Sequence, residues 1–236
     1  MNYLLVDTAN TFFRARHSAH RQSDTWDRLG FAIHVTLGSV NKAFRDQKAD
    51  HVIFCLEGRS WRKDFYEPYK KNRAVARAAL TEDEAEEDKL FWETYDNLTK
   101  YLSTKTNCSV IRHENAEADD IIGTLAPRHV AHEDVLILSS DGDFLQLQRY
   151  SNDKYQIKQY NPTTKKFIVS DDPIKDLKEK IIRGDKGDGI PNIFSPADCF
   201  VRELRQKPIT KGTIEKLLKE SHLDQDETIK ANWIRN

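Results

Sequence analysis

A chain of 236 residues is long enough for one large domain, or for a domain with a smaller companion. With 32% charged and 10% aromatic residues it is polar but able to build a core, and no apolar run approaches the ~20 residues of a membrane span. A net charge of -1 excludes recognition of nucleic acid by the overall field, so any phosphate contact has to come from local patches.

The first apolar run, Tyr3-Leu4-Leu5-Val6, ends at Asp7 and reads as a strand followed by a short polar segment. Met1-Asn2-Tyr3-Leu4 carries no basic region and no small-residue cleavage site, so no export signal is expected. Ser23 or Asp24 is placed to cap a helix on which Leu29, Ile33, Leu37, Val40 and Phe44 recur at three- and four-residue steps. A second apolar run, Val52 to Leu56, ends at Glu57. Cys55, Cys108 and Cys199 are widely spaced and odd in number; they suggest neither a disulfide framework nor a zinc site and fit a reducing cytoplasm.

Residues 59 to 77 interleave Arg59, Arg62, Lys63, Lys70, Lys71, Arg73 and Arg77 with Trp61, Phe65, Tyr66 and Tyr69, against only Asp64 and Glu67. Basic groups pair with phosphates and aromatic faces stack on bases, so the stretch suits a single nucleic-acid strand. A solvated loop whose aromatics anchor it to the core is the bland reading of the same composition. Thr81-Glu82-Asp83-Glu84 is a capping-box pattern opening a helix with Phe91, Tyr95, Leu98 and Leu102 on one side. Its acids suit a helix N-terminus and are read as structural. Ser109-Val110-Ile111 is a further candidate strand.

From Glu117 to Asp143 the chain reads as a helix with an acidic opening turn, a polar link, and a strand over Val135 to Leu138 that ends in Asp141-Gly142-Asp143. Ile121, Ile122 and Leu125 mark the buried side of that helix. Alone, D-G-D is ordinary turn chemistry. Three apolar runs that each end in an acid are a different matter. The alternation of runs and helices predicts an α/β fold with a parallel sheet covered on both faces, and in such sheets sites form beyond the carboxyl ends of the strands. If the three strands are neighbours, Asp7, Glu57, Asp141 and Asp143 converge, with Glu117 and Asp119 facing the same place. Crowded carboxylates repel unless cations neutralise them, and hard divalent ions choose such oxygen ligands.

Tyr155 to Tyr160 and Lys165 to Val169, flanking Asn161-Pro162-Thr163-Thr164, read as a hairpin. Pro173 opens a helix with Ile174, Leu177 and Ile181 on one side. It ends at Gly184-Asp185-Lys186-Gly187-Asp188-Gly189-Ile190-Pro191, a turn that either brings Asp185 and Asp188 to the metal site or is a tight loop with solvated ends. Ala197 to Leu218 is helical in pattern and rich in Lys and Arg.

Leu5-Val6-Asp7, W-R-K-D-F at 61–65, Y-K-K-N-R at 69–73, E-A-D-D-I-I at 117–122, S-S-D-G-D-F at 139–144 and G-D-K-G-D at 184–188 together carry a resemblance. The combination resembles the flap endonuclease family of 5′ nucleases, and within it the ribonucleases H of T-even bacteriophages. The resemblance implies a PIN-like α/β domain over residues 1–170, with a helical arch at about 72–90 and a small C-terminal helical lobe at 171–236. It also implies two Mg²⁺ ions, replaceable by Mn²⁺, and 5′→3′ hydrolysis of RNA–DNA hybrids, nicked duplex or 5′-flap DNA, as in primer removal during phage replication. By position, Asp7, Glu57, Glu117, Asp119, Asp141 and Asp143 serve the first metal, with Asp120 a weaker candidate, and Asp143, Asp185 and Asp188 serve the second. Lys70 and Arg73 match residues facing the scissile phosphate, and Arg59, Arg62, Lys63, Tyr69, Lys71 and Arg77 fall on the nucleic-acid side.

Three departures stand out. Glu57 replaces the usual Asp. Pro191-Asn192-Ile193-Phe194-Ser195-Pro196 replaces the glycine-rich helix–turn–helix that holds K⁺ and clamps duplex DNA. The chain stops at Trp233-Ile234-Arg235-Asn236, short of the family's usual C-terminus. The expected partners are DNA and RNA–DNA hybrid, with a single-strand-binding protein or sliding clamp left open, no membrane, a monomer, and a cytoplasmic location, in the host if the source is a phage. Two rival readings are an aspartyl phosphotransfer domain with Asp7 as nucleophile, which leaves the basic stretch unexplained, and a non-catalytic nucleic-acid-binding module, which leaves the acids unexplained.

Overall fold

The computed structural model describes residues 2–18 and 24–219. Ser23, one of the two expected helix caps, and the chain end at Trp233 to Asn236 lie outside them. The apolar runs form strands β1 (Tyr3–Asp7), β2 (His51–Leu56), β3 (Ser109–Arg112), β4 (Val135–Leu138), β5 (Ile157–Asn161) and β6 (Lys166–Ile168). They make one six-stranded sheet in the order β3-β2-β1-β4-β5-β6. The first five strands are mutually parallel, and β6 returns antiparallel to β5 as the expected hairpin.

Side chains alternate across a strand, and the core follows that alternation. Leu4 and Val6 face one layer, packed with Phe12, Leu29, Val40, Phe91 and Tyr95. Leu5, Ile53, Cys55 and Ile137 face the other, packed with Ala118, Ile122, Ala126 and Phe144. The first layer is built by α1 (Thr8–Ser18), α2 (Thr25–Asp46) and α5 (Glu82–Lys105); the second by α6 (Ala118–His129) and a 3₁₀ helix at Gly142–Tyr150. Fully burying one side chain of the size of Phe91 stabilises by about 1.5–3 kcal/mol, so both layers hold the sheet flat against its helices. Asp24 caps α2, its Oδ1 accepting the Trp26 N–H at 2.7 Å.

The segment after Asp7 is not a polar link but the helix α1. Among its described side chains only Phe12 and Ala15 are buried apolar ones, with the small Ala9 packed beside them, so its apolar period is weak; Thr11 Oγ1 donates to the Asp7 carbonyl at 2.8 Å. The basic stretch holds two short helices, α3 (Arg62–Phe65) and α4 (Lys71–Ala78). Beyond α7 (Pro173–Arg183), the expected helix over Ala197 to Leu218 forms only as α8 (Lys211–Lys219). Residues before it are tied back to the preceding loop: Lys207 donates its N–H to Ser195 Oγ at 2.9 Å, and its carbonyl accepts from Asn192 Nδ2 at 2.8 Å. Pro208 then removes a further helical donor.

The chain divides into two compact units, Met1–Arg59 with Asp83–Asp171, and Ser60–Glu82 with Asp172–Asn236. The first contains the sheet. In the second, Tyr66, Tyr69 and Ile190 form a small apolar cluster, and α7 lies against α8. No helix among the described residues is long and apolar enough to cross a membrane.

Candidate functional site

In the first unit, β1 lies between β2 and β4, with Asp7 level with Cys55 and Val6 level with Leu138. The chain leaves β1 for one side of the sheet and later returns on the other. This is a topological switch point, where the crevice beyond the strand ends is open. Asp7, Glu57 and Asp141 are carried there by three adjacent strands.

Asp7 is buried. Its Oδ2 accepts from Ser139 Oγ at 2.7 Å and its Oδ1 from the Asn10 N–H at 3.2 Å. Burial, with the fields of Glu57 and Asp141 added, outweighs those two bonds and pushes its carboxyl up to about 7. The acids also act on what lies beneath them. Burial first, then the charges of Asp7 and Asp119, drive the Cys55 thiol well above its ordinary range. Asp7 thus stands in electrostatic contact with Glu57 and Asp141, and Asp7 and Asp119 both act on the Cys55 thiol.

Glu57 is held by the start of α6. Its Oε2 accepts the Ala118 N–H at 3.1 Å, at the end of the helix where backbone donors are unpaired. The methylene that distinguishes it from Asp gives it this reach. Gly58 makes the approach possible: a Cβ there would sit 1.9 Å from the His113 carbonyl oxygen and 2.7 Å from that of Ala116. Its own N–H donates to Ala116 O at 2.9 Å. Glu117 is the buried cap residue of α6, and Asp120 accepts its N–H at 2.9 Å, so Asp120 closes the helix turn.

Asp141 caps the 3₁₀ helix, its Oδ1 accepting the Asp143 N–H at 3.0 Å. Gln159, fully buried on β5, donates to the Ser139 carbonyl at 3.1 Å and to that of Asp141 at 2.5 Å. Asn10 accepts from Ser140 Oγ at 2.8 Å. Asn10, Ser139 and Gln159 are the supporting residues that the sequence reading passed over. Ser139 is the first serine of the S-S-D-G-D run, but nothing in the sequence pairs Gln159 with it.

In the second unit Asp188 is the centre of a cationic cluster. Arg73 Nη2 pairs with its Oδ1, Lys70 Nζ lies 3.7 Å from its Oδ2, and Tyr69 donates its hydroxyl to the same oxygen at 3.2 Å. Tyr69, expected among the nucleic-acid contacts, is only 5% exposed; its ring is packed with Tyr66 and Ile190 and its hydroxyl is committed to Asp188. Phe65 instead is 73% exposed. Asp185 accepts the N–H groups of Gly187 and Asp188 and lies 3.3 Å from Lys180 Nζ. Burial raises its pKa, but Lys180 and those N–H donors outweigh it and hold the carboxyl below its ordinary range. The turn needs glycine at both ends, with φ of 69° at Gly184 and 75° at Gly189. Lys63 on α3, Lys71 and Arg77 on α4 belong to this unit, as does Arg62, whose guanidinium stacks 4.9 Å from the Trp61 ring; Arg59 belongs to the first unit.

The profile of the 5′-3′ exonuclease, N-terminal resolvase-like domain matches residues 2–178. The chain belongs to that family. Within the 5′-3′ exonuclease family it is 32% identical over 205 residues to ribonuclease H of Enterobacteria phage T4, covering 79% of this chain and 62% of that protein. The chain therefore spans less than two thirds of that relative. It is 25% identical over 208 residues to flap endonuclease Xni of Shewanella piezotolerans, covering 82% of this chain and 72% of that one. In fold it is similar to bacteriophage T5 D15 protein co-crystallised with metal ions, at a TM-score of 0.69 and 22% identity over 99% of this chain and 88% of that one. A D15 flap endonuclease complex with DNA and metal ions gives 0.70, also at 22% identity over 99% of this chain and 88% of that one.

The exonuclease-family acids fit a hard cation by donor type. Asp7, Glu57, Asp119 and Asp141 offer carboxylate oxygens alone, and their mutual repulsion is what such an ion relieves. Among the described residues no set of three or more His, Cys, Asp or Glu side chains is already drawn together as a finished ligand shell.

Proposed function

We propose that the protein is a metal-dependent 5′→3′ nuclease that hydrolyses phosphodiesters in RNA–DNA hybrids, nicked duplex or 5′-flap DNA, in the manner of primer removal during phage replication. What supports this reading is the adjacency of β1, β2 and β4, whose ends carry Asp7, Glu57 and Asp141, with the Asp7 carboxyl pushed up to about 7 by burial and by the charges of Glu57 and Asp141. Family membership supports the same reading.

Asp7, Glu57, Asp119 and Asp141, with Glu117 and Asp143 beside them, would hold Mg²⁺. When bound, divalent ions supply Lewis-acid charge for the phosphate and lower the pKa of water. The chain's own part is to place the oxygens. Ser139 and Asn10 orient Asp7, the α6 N-terminus orients Glu57, and Gln159 fixes the turn that carries Asp141. Asp7 has to give up its proton for a cation to bind. In the second unit, Lys70 and Arg73 would turn from Asp188 to a phosphate and offset charge that develops on it. Asp188 holds those two cations and Asp185 pairs with Lys180, and both acids are the proposed ligands of a second ion. Arg59, Arg62, Lys63, Lys71 and Arg77, with the exposed Phe65, suit a phosphate backbone and a stacked base.

The test is cleavage of a 5′-labelled flap in Mg²⁺ and in EDTA. Activity is expected only with the metal, and Asp141→Asn is expected to lose at least a thousandfold in rate while binding DNA within a few-fold of wild type. Undiminished turnover in EDTA, or in that variant, overturns the assignment. Binding without cleavage under every metal condition would favour the non-catalytic module.

A further inference from the structure

Gln159 stands where an apolar side chain would be expected. Ile157, two residues earlier on β5 and so on the same face, packs into the layer beneath α6. Gln159 is fully buried, and burying a carboxamide is unfavourable unless its polar atoms are paired. Its nitrogen is paired twice, donating to the Ser139 carbonyl at 3.1 Å and to the Asp141 carbonyl at 2.5 Å. Its Oε1 has no hydrogen-bond partner among the described residues. The reverse orientation would set that oxygen against two carbonyls, so the two N–H groups fix which way the amide faces. What the buried amide contributes is therefore confined to those two bonds.

The two bonds bracket the turn that joins the acids. The Ser139 hydroxyl gives its one proton to Asp7 Oδ2 at 2.7 Å and accepts the Asp141 N–H at 3.1 Å. Asp7 and Asp141 thus meet on a single oxygen atom, and Gln159 grips the backbone on both sides of it. The Ser139 N–H is held by the Tyr160 carbonyl at 3.2 Å. Consecutive residues of β5 therefore bind both backbone groups of Ser139. The placing of Asp141 against Asp7 is set from a strand that carries no acid of its own.

Cations differ in how they respond to such a frame. Mg²⁺ demands nearly octahedral oxygen ligands at about 2.0–2.1 Å, whereas Ca²⁺ takes more ligands, at about 2.3–2.6 Å, in flexible geometry. Loosening one of two carboxylates costs the smaller ion more. We infer that Gln159 is a positioning residue of the acidic site: by holding the turn from Ser139 to Asp141 it fixes Asp141 against Asp7 and so sets a preference for Mg²⁺ over Ca²⁺. The inference rests on the metal-dependent reading proposed above. Gln159 acts through the turn and does not itself serve as a ligand.

The experiment is calorimetric titration of the full chain, without nucleic acid, with Mg²⁺ and separately with Ca²⁺. Gln159→Met keeps the length and unbranched shape of the side chain but lacks the N–H groups. It is expected to bind Mg²⁺ at least tenfold more weakly, with Ca²⁺ affinity within about threefold of wild type. Ile157→Val, which thins the same strand and layer away from the turn, is expected to leave the ratio of the two affinities unchanged. Equal weakening towards both ions, undiminished Mg²⁺ affinity in Gln159→Met, or the same change of ratio in Ile157→Val overturns the assignment. Thermal melting checks the fold of each variant. Should Gln159→Met not fold, the side-chain amide signals of Gln159 in isotope-labelled wild type decide: they are expected to move on adding Mg²⁺, and signals that stay in place overturn the assignment. A wild type that binds neither ion overturns the metal-dependent reading and this inference with it. A wild type that binds Mg²⁺ but cuts no flap overturns the nuclease reading alone and leaves the result for Gln159 standing.

Discussion

Asp7 combines two opposed demands. It is oriented by Ser139 and Asn10 as a ligand would be, yet burial and two neighbouring acids keep its proton on up to about pH 7. The unfolded chain releases that proton near 3.8. A raised folded pKa means the proton's contribution to stability is complete below 3.8 and is lost as pH climbs to about 7. Metal-free protein should therefore lose stability over that window, and Asp7→Asn should lose less. About three pH units at ~1.36 kcal/mol each, less one accepted hydrogen bond worth about 1–3 kcal/mol, leaves Asp7→Asn on the order of 1–3 kcal/mol more stable at neutral pH. Denaturant melts at pH 4 and pH 8 check this, and cleavage by the same variant should be abolished. The acid at each strand end was legible in the sequence because a charge that closes an apolar run is conspicuous. Asn10 and Gln159 were not, since one lies in a helix with too few apolar residues to announce itself and the other alternates unremarkably along a strand.

Among the elements, the junction of β2 with α6 shows how a single backbone position couples two of them. Gly58 passes so close to the carbonyls of His113 and Ala116 that no side chain fits, and this closeness lets Glu57 reach the first turn of α6. Gly58→Ala is expected to cost on the order of 2–4 kcal/mol, the range of severe overpacking, and to reduce cleavage more than tenfold by displacing Glu57. Melting temperature and flap cleavage measured side by side are the check; an alanine variant with wild-type values in both would show that the loop yields. The buried strands and the amphipathic α2, α5 and α6 could be read from periodicity because their apolar residues repeat. The helices α3 and α4 could not, since neither buries a residue. The stretch before α8 carries a helical pattern but spends its backbone groups on Asn192 and Ser195 instead.

For the molecule as a whole, the sheet buries apolar side chains on both faces and gathers like charges at one end. Such an arrangement gains from a cation in folding as well as in chemistry. Mg²⁺ at a hundredfold excess over its Kd should add about 2.7 kcal/mol, or roughly 5–10 °C in Tm for a chain of this length. The gain should shrink as pH falls below 7, because the ion competes with the Asp7 proton. Scanning calorimetry with Mg²⁺ and with EDTA at pH 5 and pH 8 measures both effects, and a shift independent of pH would mean that Asp7 is not a ligand. Cys55 offers a way to watch the same end of the sheet from within. Its sulfur is fully enclosed directly under the carboxylates, while Cys108 is partly accessible. Alkylation of Cys55 can proceed only when that end opens, so its labelling half-time is a clock for breathing of the strand tips. Iodoacetamide followed by peptide mass mapping should find Cys108 modified first, and Cys55 slowed several-fold further once magnesium draws the tips together.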